Sequence, residues 1–171
     1  IYFHMNNRDK RSLILDLKQP EGVAVFKRLV ETADVLVEGF RPGVMQRLGC
    51  DYEVLKVVNP RLIYCAISGW GADGPYASRS GHDLNYVSVA GLTGAMETPQ
   101  VMGGQIADMS GAYMAFSGIL AVLLQRERTS EGAFVDVSLF ESSLPFAMCG
   151  WVESMLTGTG GGEGSLTGGL A

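Results

Sequence analysis

Histidine and cysteine are scarce in this chain. Its 171 residues hold two histidines and three cysteines, and Cys50, Cys65 and Cys149 show no C-x-x-C spacing, so no metal site is expected. An odd number of thiols is no disulfide framework either; they are expected as buried thiols in a reducing compartment, which places the protein in the cytoplasm. No G-x-G-x-x-G and no Walker motif occurs, so nucleotide sites of those kinds are unsupported. Thirteen Lys and Arg face 18 Asp and Glu, a net charge of −5, which argues against a nucleic-acid partner. The apolar run from Ala112 to Leu124 is broken by Ser117 and Gly118 and falls short of the ~20 residues that span a bilayer, so no membrane partner is expected. There is no internal repeat and no signal-peptide pattern. Ile1 is not an initiator and Ala171 closes a glycine-rich stretch, so both ends look cut.

What is present is globular. Hydrophobic residues make up 47% of the chain and charged ones 18%, enough for one domain with a substantial core. Charge is uneven: residues 1–28 carry +3 and the remainder −8, a basic end that suits an anionic small molecule or a solvated face. Ser12–Leu17 alternates like a strand. Pro20 then opens a helix with Val23, Phe26 and Val30 on one stripe. Asp34–Glu38 reads as a second strand, ending in the turn Gly39-Phe40-Arg41-Pro42-Gly43. Arg41 there is placed as an anion site in an open α/β sheet requires, and equally as an ordinary surface arginine. A short helix around Met45, Arg47 and Leu48 and another over Asp51–Val58 precede the apolar strand Leu62–Ile67. That strand empties into Ser68–Pro75, a glycine-rich turn that permits close backbone approach. Met109–Gln125 reads as a central helix whose small residues Gly111, Ala115, Gly118 and Ala121 admit a close neighbour. Val135–Leu139 reads as a strand and Glu141–Leu156 as a helix. This alternation predicts a mostly parallel sheet with helices on both faces over residues 1–157, followed by a Gly-rich linker over 158–171.

The stretch from Ser78 to Asp108 carries the candidate chemistry. Ser80 and Asp83 have capping-box spacing, which predicts a helix from Gly81 with Leu84, Val87 and Ala90 or Gly91 buried. His82 then lies in the first turn, where the positive end of the dipole disfavours an imidazolium and leaves a usable base. Tyr86 follows four residues later on the same face. Asp108 stands just before the long apolar helix. A histidine in a first turn is more often a surface or capping residue, and an aspartate before a helix is an ordinary N-cap, so spacing alone leaves both open.

Several segments taken together resemble the family III CoA-transferases, the group that includes α-methylacyl-CoA racemase. They are N-R-D-K-R-S-L-I-L-D-L-K, A-D-V-L-V-E-G-F-R-P-G-V-M-Q-R-L-G, N-P-R-L-I-Y-C-A-I-S-G-W-G-A-D-G-P, S-G-H-D-L-N-Y and G-A-F-V-D-V-S-L-F-E-S, in one order from about Asn7 to Glu141. The resemblance implies the middle of a Rossmann-like large domain, without its first strand and helix and without the small second domain, from an interlocked homodimer. It implies an acyl-CoA thioester as substrate, with CoA part of that substrate and no separate cofactor. CoA contacts are implied near Leu15 and Lys18, at Gly39, Arg41 and Arg47, and along Gly81, Asp83, Asn85 and Tyr86. The aspartate at the place of Asp108 is catalytic throughout the family. A histidine at the place of His82 is typical of the racemase branch, where transferases usually have an aromatic residue. The implied activity is therefore racemisation at C2 of a 2-methylacyl-CoA by His82 and Asp108, with covalent CoA transfer through Asp108, or CoA binding without turnover, as alternatives.

Overall fold

The computed structural model describes residues 2–96, 98 and 100–158, so the expected linker lies, but for Gly158, outside the described residues. The elements are α1 (Tyr2–Asn6), α2 (Pro20–Val30), β1 (Val35–Glu38), α3 (Val44–Arg47), α4 (Tyr52–Val58), β2 (Ile63–Ser68), α5 (Asp83–Val89), α6 (Ile106–Thr129), β3 (Phe134–Ser138) and α7 (Leu139–Thr157). The three strands form one parallel sheet in the order β1-β2-β3. Parallel strands need crossover connections, and helices supply them, which is the α/β architecture the alternation predicted.

Period-two alternation along β2 sorts its side chains between two cores. Tyr64 faces α2 and α4, in a cluster with Val30, Leu55 and Leu62. Cys65 faces α6, with Ala115 and Val137. Helix α4 starts where its sequence dictates, because Asp51 accepts a hydrogen bond from the Val54 N–H at 3.2 Å and so caps the first turn. Helix α7 starts on a similar device: the Ser138 hydroxyl accepts from the Glu141 N–H at 3.1 Å. At the far end of α6, the buried Arg126 donates to the Arg61 carbonyl at 2.9 Å and to the Asp34 carboxylate at 2.8 Å. One guanidinium thus ties α6 to the segments that lead into β1 and β2.

Several expectations are corrected. Ser12–Leu17 is not a strand: residues 10–16 join no ladder, and Ile14 is 94% exposed. Alternation makes a strand only where a neighbour can pair, and among the described residues nothing pairs with the outer edge of β1. Helix α5 begins at Asp83, not Gly81, with His82 as its N-cap. The reason is that Asn85 Oδ1, rather than Asp83, accepts from the N-terminal backbone, at the His82 N–H (2.9 Å). Leu84 is 42% exposed; the buried face is Tyr86, Val87 and Ala90. Helix α6 begins at Ile106, so Asp108 sits inside its first turn instead of capping it. Cys149 is exposed, unlike Cys50 and Cys65.

Helix α6 is less enclosed than a central helix would be. Gly111 meets Leu139, Ala115 is buried and Gly118 meets Val135, so the small-residue stripe does admit close neighbours, but Ala121 is exposed, as are Tyr113, Phe116 and Leu124. At 24 residues it is also, by length and composition alone, long and apolar enough to cross a membrane. The run Ala112–Leu124 underestimated it because helix extends through flanking residues on both sides. In this fold it packs on β2, β3, α5 and α7.

Candidate active site

The parallel strands place three chain segments at one edge of the sheet. β1 runs into Gly39–Pro42, β2 into Gly69 and Trp70, and β3 into Leu139. With Ala77–Gly81 and Tyr86 they enclose a cleft of about 240 Å³. This is the crevice beyond the carboxyl ends of the strands, where open α/β sheets take their ligands. Its lining contains Arg41 and Arg79 and neither Asp nor Glu.

Tyr86 is the side chain around which the cleft is built. Its ring lies against the backbone at Gly69 and Gly81: a Cβ at Gly81 would stand 2.8 Å from Tyr86 Cε1, and one at Gly69 would overlap the hydroxyl. The close approach expected of the glycine-rich turn is therefore used by the chain's own tyrosine. Trp70 meets the Tyr86 ring edge-on at 4.9 Å between centroids and also contacts Tyr76 and Phe140. Burial pushes the Tyr86 phenol up, the Asp108 carboxylate adds to that, and Arg41 opposes it. The phenol thus lies within electrostatic reach of both the candidate catalytic carboxyl and the cleft arginine.

Asp108 is half-buried at the junction of α5 and α6. Its N–H donates to Asp83 Oδ1 at 3.0 Å, and Gln105 Nε2 donates to its Oδ2 at 3.0 Å. Burial holds its carboxyl above the usual aspartate range, Asp83 pushes it further up, and His82 pulls it down. Such a carboxyl is a stronger base and a stronger nucleophile than a solvated aspartate. His82 stands exposed at the start of α5. Neither residue lines the cleft itself; Tyr86, which does, feels the charge of Asp108.

Of the other expected contacts, Gly39, Arg41, Gly81 and Tyr86 meet in the cleft. Asn85 lines a separate hollow of about 270 Å³ that shares Trp70, Arg79 and Ser80 with the cleft. Asp83 binds the α6 backbone and also borders a hollow with Leu84 and Met102. Leu15, Lys18 and Arg47 lie outside the cleft lining, with Lys18 and Arg47 exposed.

Sequence reading missed a second cavity of about 370 Å³, on the other side of the Phe40–Pro42 turn. Glu38, Asp51, Glu53 and Asp136 line it, over the packed rings of Tyr52, Tyr64 and Phe134. Burial pushes Glu38 up, against hydrogen bonds from the Phe40 N–H (2.6 Å) and the Tyr64 hydroxyl (3.5 Å). The Tyr64 phenol is also pushed up, by its burial first and by Glu38 second. The signal was strand register: Glu38, Ala66 and Asp136 are lateral partners on one face. Arg79 and Trp70, missed as cleft residues, lie in segments already singled out, Trp70 in the glycine-rich turn Ser68–Pro75 and Arg79 at the start of the stretch Ser78–Asp108.

Fold and cleft define a parallel α/β domain with a carboxylate-free cleft, bearing Arg41 and Arg79, at the carboxyl edge of its sheet. The family model described as CoA-transferase family III matches residues 1–169, and the chain belongs to this family. It is 44% identical over 151 residues to the acetyl-CoA:oxalate CoA-transferase of Acetobacter aceti, covering 85% of this chain and 39% of that one. It is 39% identical over 155 residues to the α-methylacyl-CoA racemase of Homo sapiens, covering 88% of this chain and 41% of the racemase. A crystal structure of a CaiB/BaiF family protein from Brucella suis superposes with a TM-score of 0.85 at 36% identity, over 92% of this chain and 43% of its own length. The chain thus spans well under half the length of these relatives.

Proposed function

We propose that this chain supplies the CoA cleft and the reacting carboxyl of an acyl-CoA enzyme, and that the reaction is racemisation at C2 of a 2-methylacyl-CoA. The observation that carries this reading is the position of Asp108: a half-buried carboxyl in the first turn of α6, its N–H bonded to Asp83 of α5 at 3.0 Å, held above its ordinary range by burial and by Asp83 and pulled down by His82. Racemisation removes the proton α to the thioester carbonyl on one face and returns one on the other through an enolate. It therefore needs two acid–base groups flanking one carbon, and His82 and Asp108 are the pair available. Gly39, Arg41, Gly81 and Tyr86 hold CoA in the cleft, with Leu15, Lys18, Arg47, Asp83 and Asn85 completing its contacts. CoA is part of the substrate and no separate cofactor is involved. The interlocked homodimer and the cytoplasmic location belong to the same reading.

A second reading is favoured by the names of relatives such as the acetyl-CoA:oxalate CoA-transferase. There Asp108 attacks the thioester carbonyl, CoA leaves as thiolate, and an acyl–aspartyl anhydride forms; His82 takes no part. The two separate in D2O. The full-length protein is given a chiral 2-methylacyl-CoA, with and without a free carboxylic acid, and C2 deuterium is followed by NMR and mass spectrometry. Racemisation with deuterium uptake, lost in His82→Ala and Asp108→Asn and indifferent to the acid, is the expected result. CoA appearing on the acid without C2 exchange, with only Asp108 essential, establishes the transferase instead.

A further inference from the structure

Two arginines reach the cleft from different segments, Arg41 from the turn after β1 and Arg79 from the segment before α5. Neither forms an ion pair among the described residues, and the lining offers no carboxylate to neutralise them. This stands out in a chain of net charge −5, whose neighbouring cavity across the Phe40–Pro42 turn holds four carboxylates; Arg41 borders both cavities, Arg79 only the carboxylate-free one of the two. Arg79 is also held in place. Its guanidinium stacks 4.4 Å from the Tyr76 ring centroid, its N–H closes a turn on the Tyr76 carbonyl at 2.8 Å, and Tyr76 leans edge-on against Trp70 at 5.1 Å. An arginine on an aromatic platform loses less freedom on binding, and its planar fork fits an oxyanion.

We propose that Arg79 is an anion-recognition residue of this cleft, which together with Arg41 receives one oxyanion group of the bound ligand. The inference deepens the acyl-CoA reading and rests on it for the ligand's identity. Two parts of such a ligand carry the chemistry: the diphosphate of CoA, and a terminal carboxylate on the acyl chain. Either would be met by two guanidinium groups that the cleft lining leaves without a carboxylate.

The test is calorimetric, on the full-length protein with Asp108→Asn as a background that blocks turnover. Three probes are titrated: succinyl-CoA, butyryl-CoA of the same chain length without the carboxylate, and inorganic pyrophosphate. Each is repeated with Arg79→Gln and Arg79→Lys added, and circular dichroism checks that the variants fold. A charge-assisted hydrogen bond is worth enough that Arg79→Gln should weaken the recognised anion about tenfold or more, with Arg79→Lys intermediate. Loss confined to succinyl-CoA identifies the acyl carboxylate. An equal loss for both thioesters and for pyrophosphate identifies the diphosphate. Unchanged affinity for all three probes in folded Arg79→Gln overturns the proposal. Should neither thioester bind the background protein, the acyl-CoA reading falls by itself; pyrophosphate then decides alone, with weakening in Arg79→Gln supporting Arg79 and no effect, or no binding, refuting it.

Discussion

Two cavities open on either side of the turn Phe40–Pro42, and they carry opposite chemistry. Both are lined by Phe40, Arg41, Pro42 and Ser68. One rests on the rings of Tyr52, Tyr64 and Phe134 and gathers Glu38, Asp51, Glu53 and Asp136; the other rests on Trp70 and Tyr86 and gathers Arg79 without a carboxylate. The difference follows from the pleat and from what each strand runs into. Lateral partners Glu38, Ala66 and Asp136 share a face, so two carboxylates converge there, whereas the turns beyond the strand ends bring glycines and arginines. Volume and charge therefore point to different cavities: the larger is the acidic one, which suits the proposed CoA ligand poorly.

The largest way to break the contrast is at Gly69. In Gly69→Ala the new methyl overlaps the Tyr86 hydroxyl, so the ring that walls the cationic cleft must move. Overpacking of this kind costs about 1–3 kcal/mol, visible as a lower urea midpoint. CoA binding should fall with it, while Glu38 and Tyr64, in the acidic cavity, keep their NMR titrations.

A smaller change sharpens the cationic side. Asp83 pushes Asp108 up, and Asp108 must be ionised to act as base or nucleophile, so turnover of the enantiomer from which Asp108 takes the proton should rise with pH through its raised value. Asp83→Asn removes that repulsion while keeping an oxygen to accept from the Asp108 N–H. The acid limb of the pH–rate profile should then move to lower pH; a limb that stays put would show that burial alone sets it.

The smallest effect belongs to the acidic cavity. Glu38 is raised, with burial the largest cause. The folded state therefore holds this proton more tightly than the unfolded state, and stability is lost as pH rises from the unfolded value through the folded one. Glu38→Gln should flatten that decline in denaturation measured across the carboxylate range. Turnover at neutral pH should stay within a few-fold of wild type, against a loss of about 10²–10⁴ for Asp108→Asn.

Much of the fold was legible in local pattern. Asp51 capping α4, Pro20 opening α2 and the apolar run of β2 are encoded within a few residues, because capping and periodicity act over one helical turn or a few strand positions. The same locality explains the errors. Ser12–Leu17 alternates but has no strand to pair with, and the S-x-x-[DE] device that caps a helix lies at Ser138–Glu141 and not at Ser80–Asp83. Local spacing leaves His82 and Asp108 open and only the family resemblance pairs them, because the Asp83 bond that holds Asp108 of α6 against α5 spans 25 residues.

By itself the sequence determined the α/β alternation, the motifs of the CoA-transferase family III and the residue types available for proton transfer, since each is written in neighbouring positions. Only the tertiary structure decided that Tyr86 nests on Gly69 and Gly81, that Arg79 faces the same cleft as Arg41, and that Glu38 and Asp136 share another. Those arrangements depend on strand register and on close packing between segments far apart in the chain, and no local pattern encodes where two such segments meet.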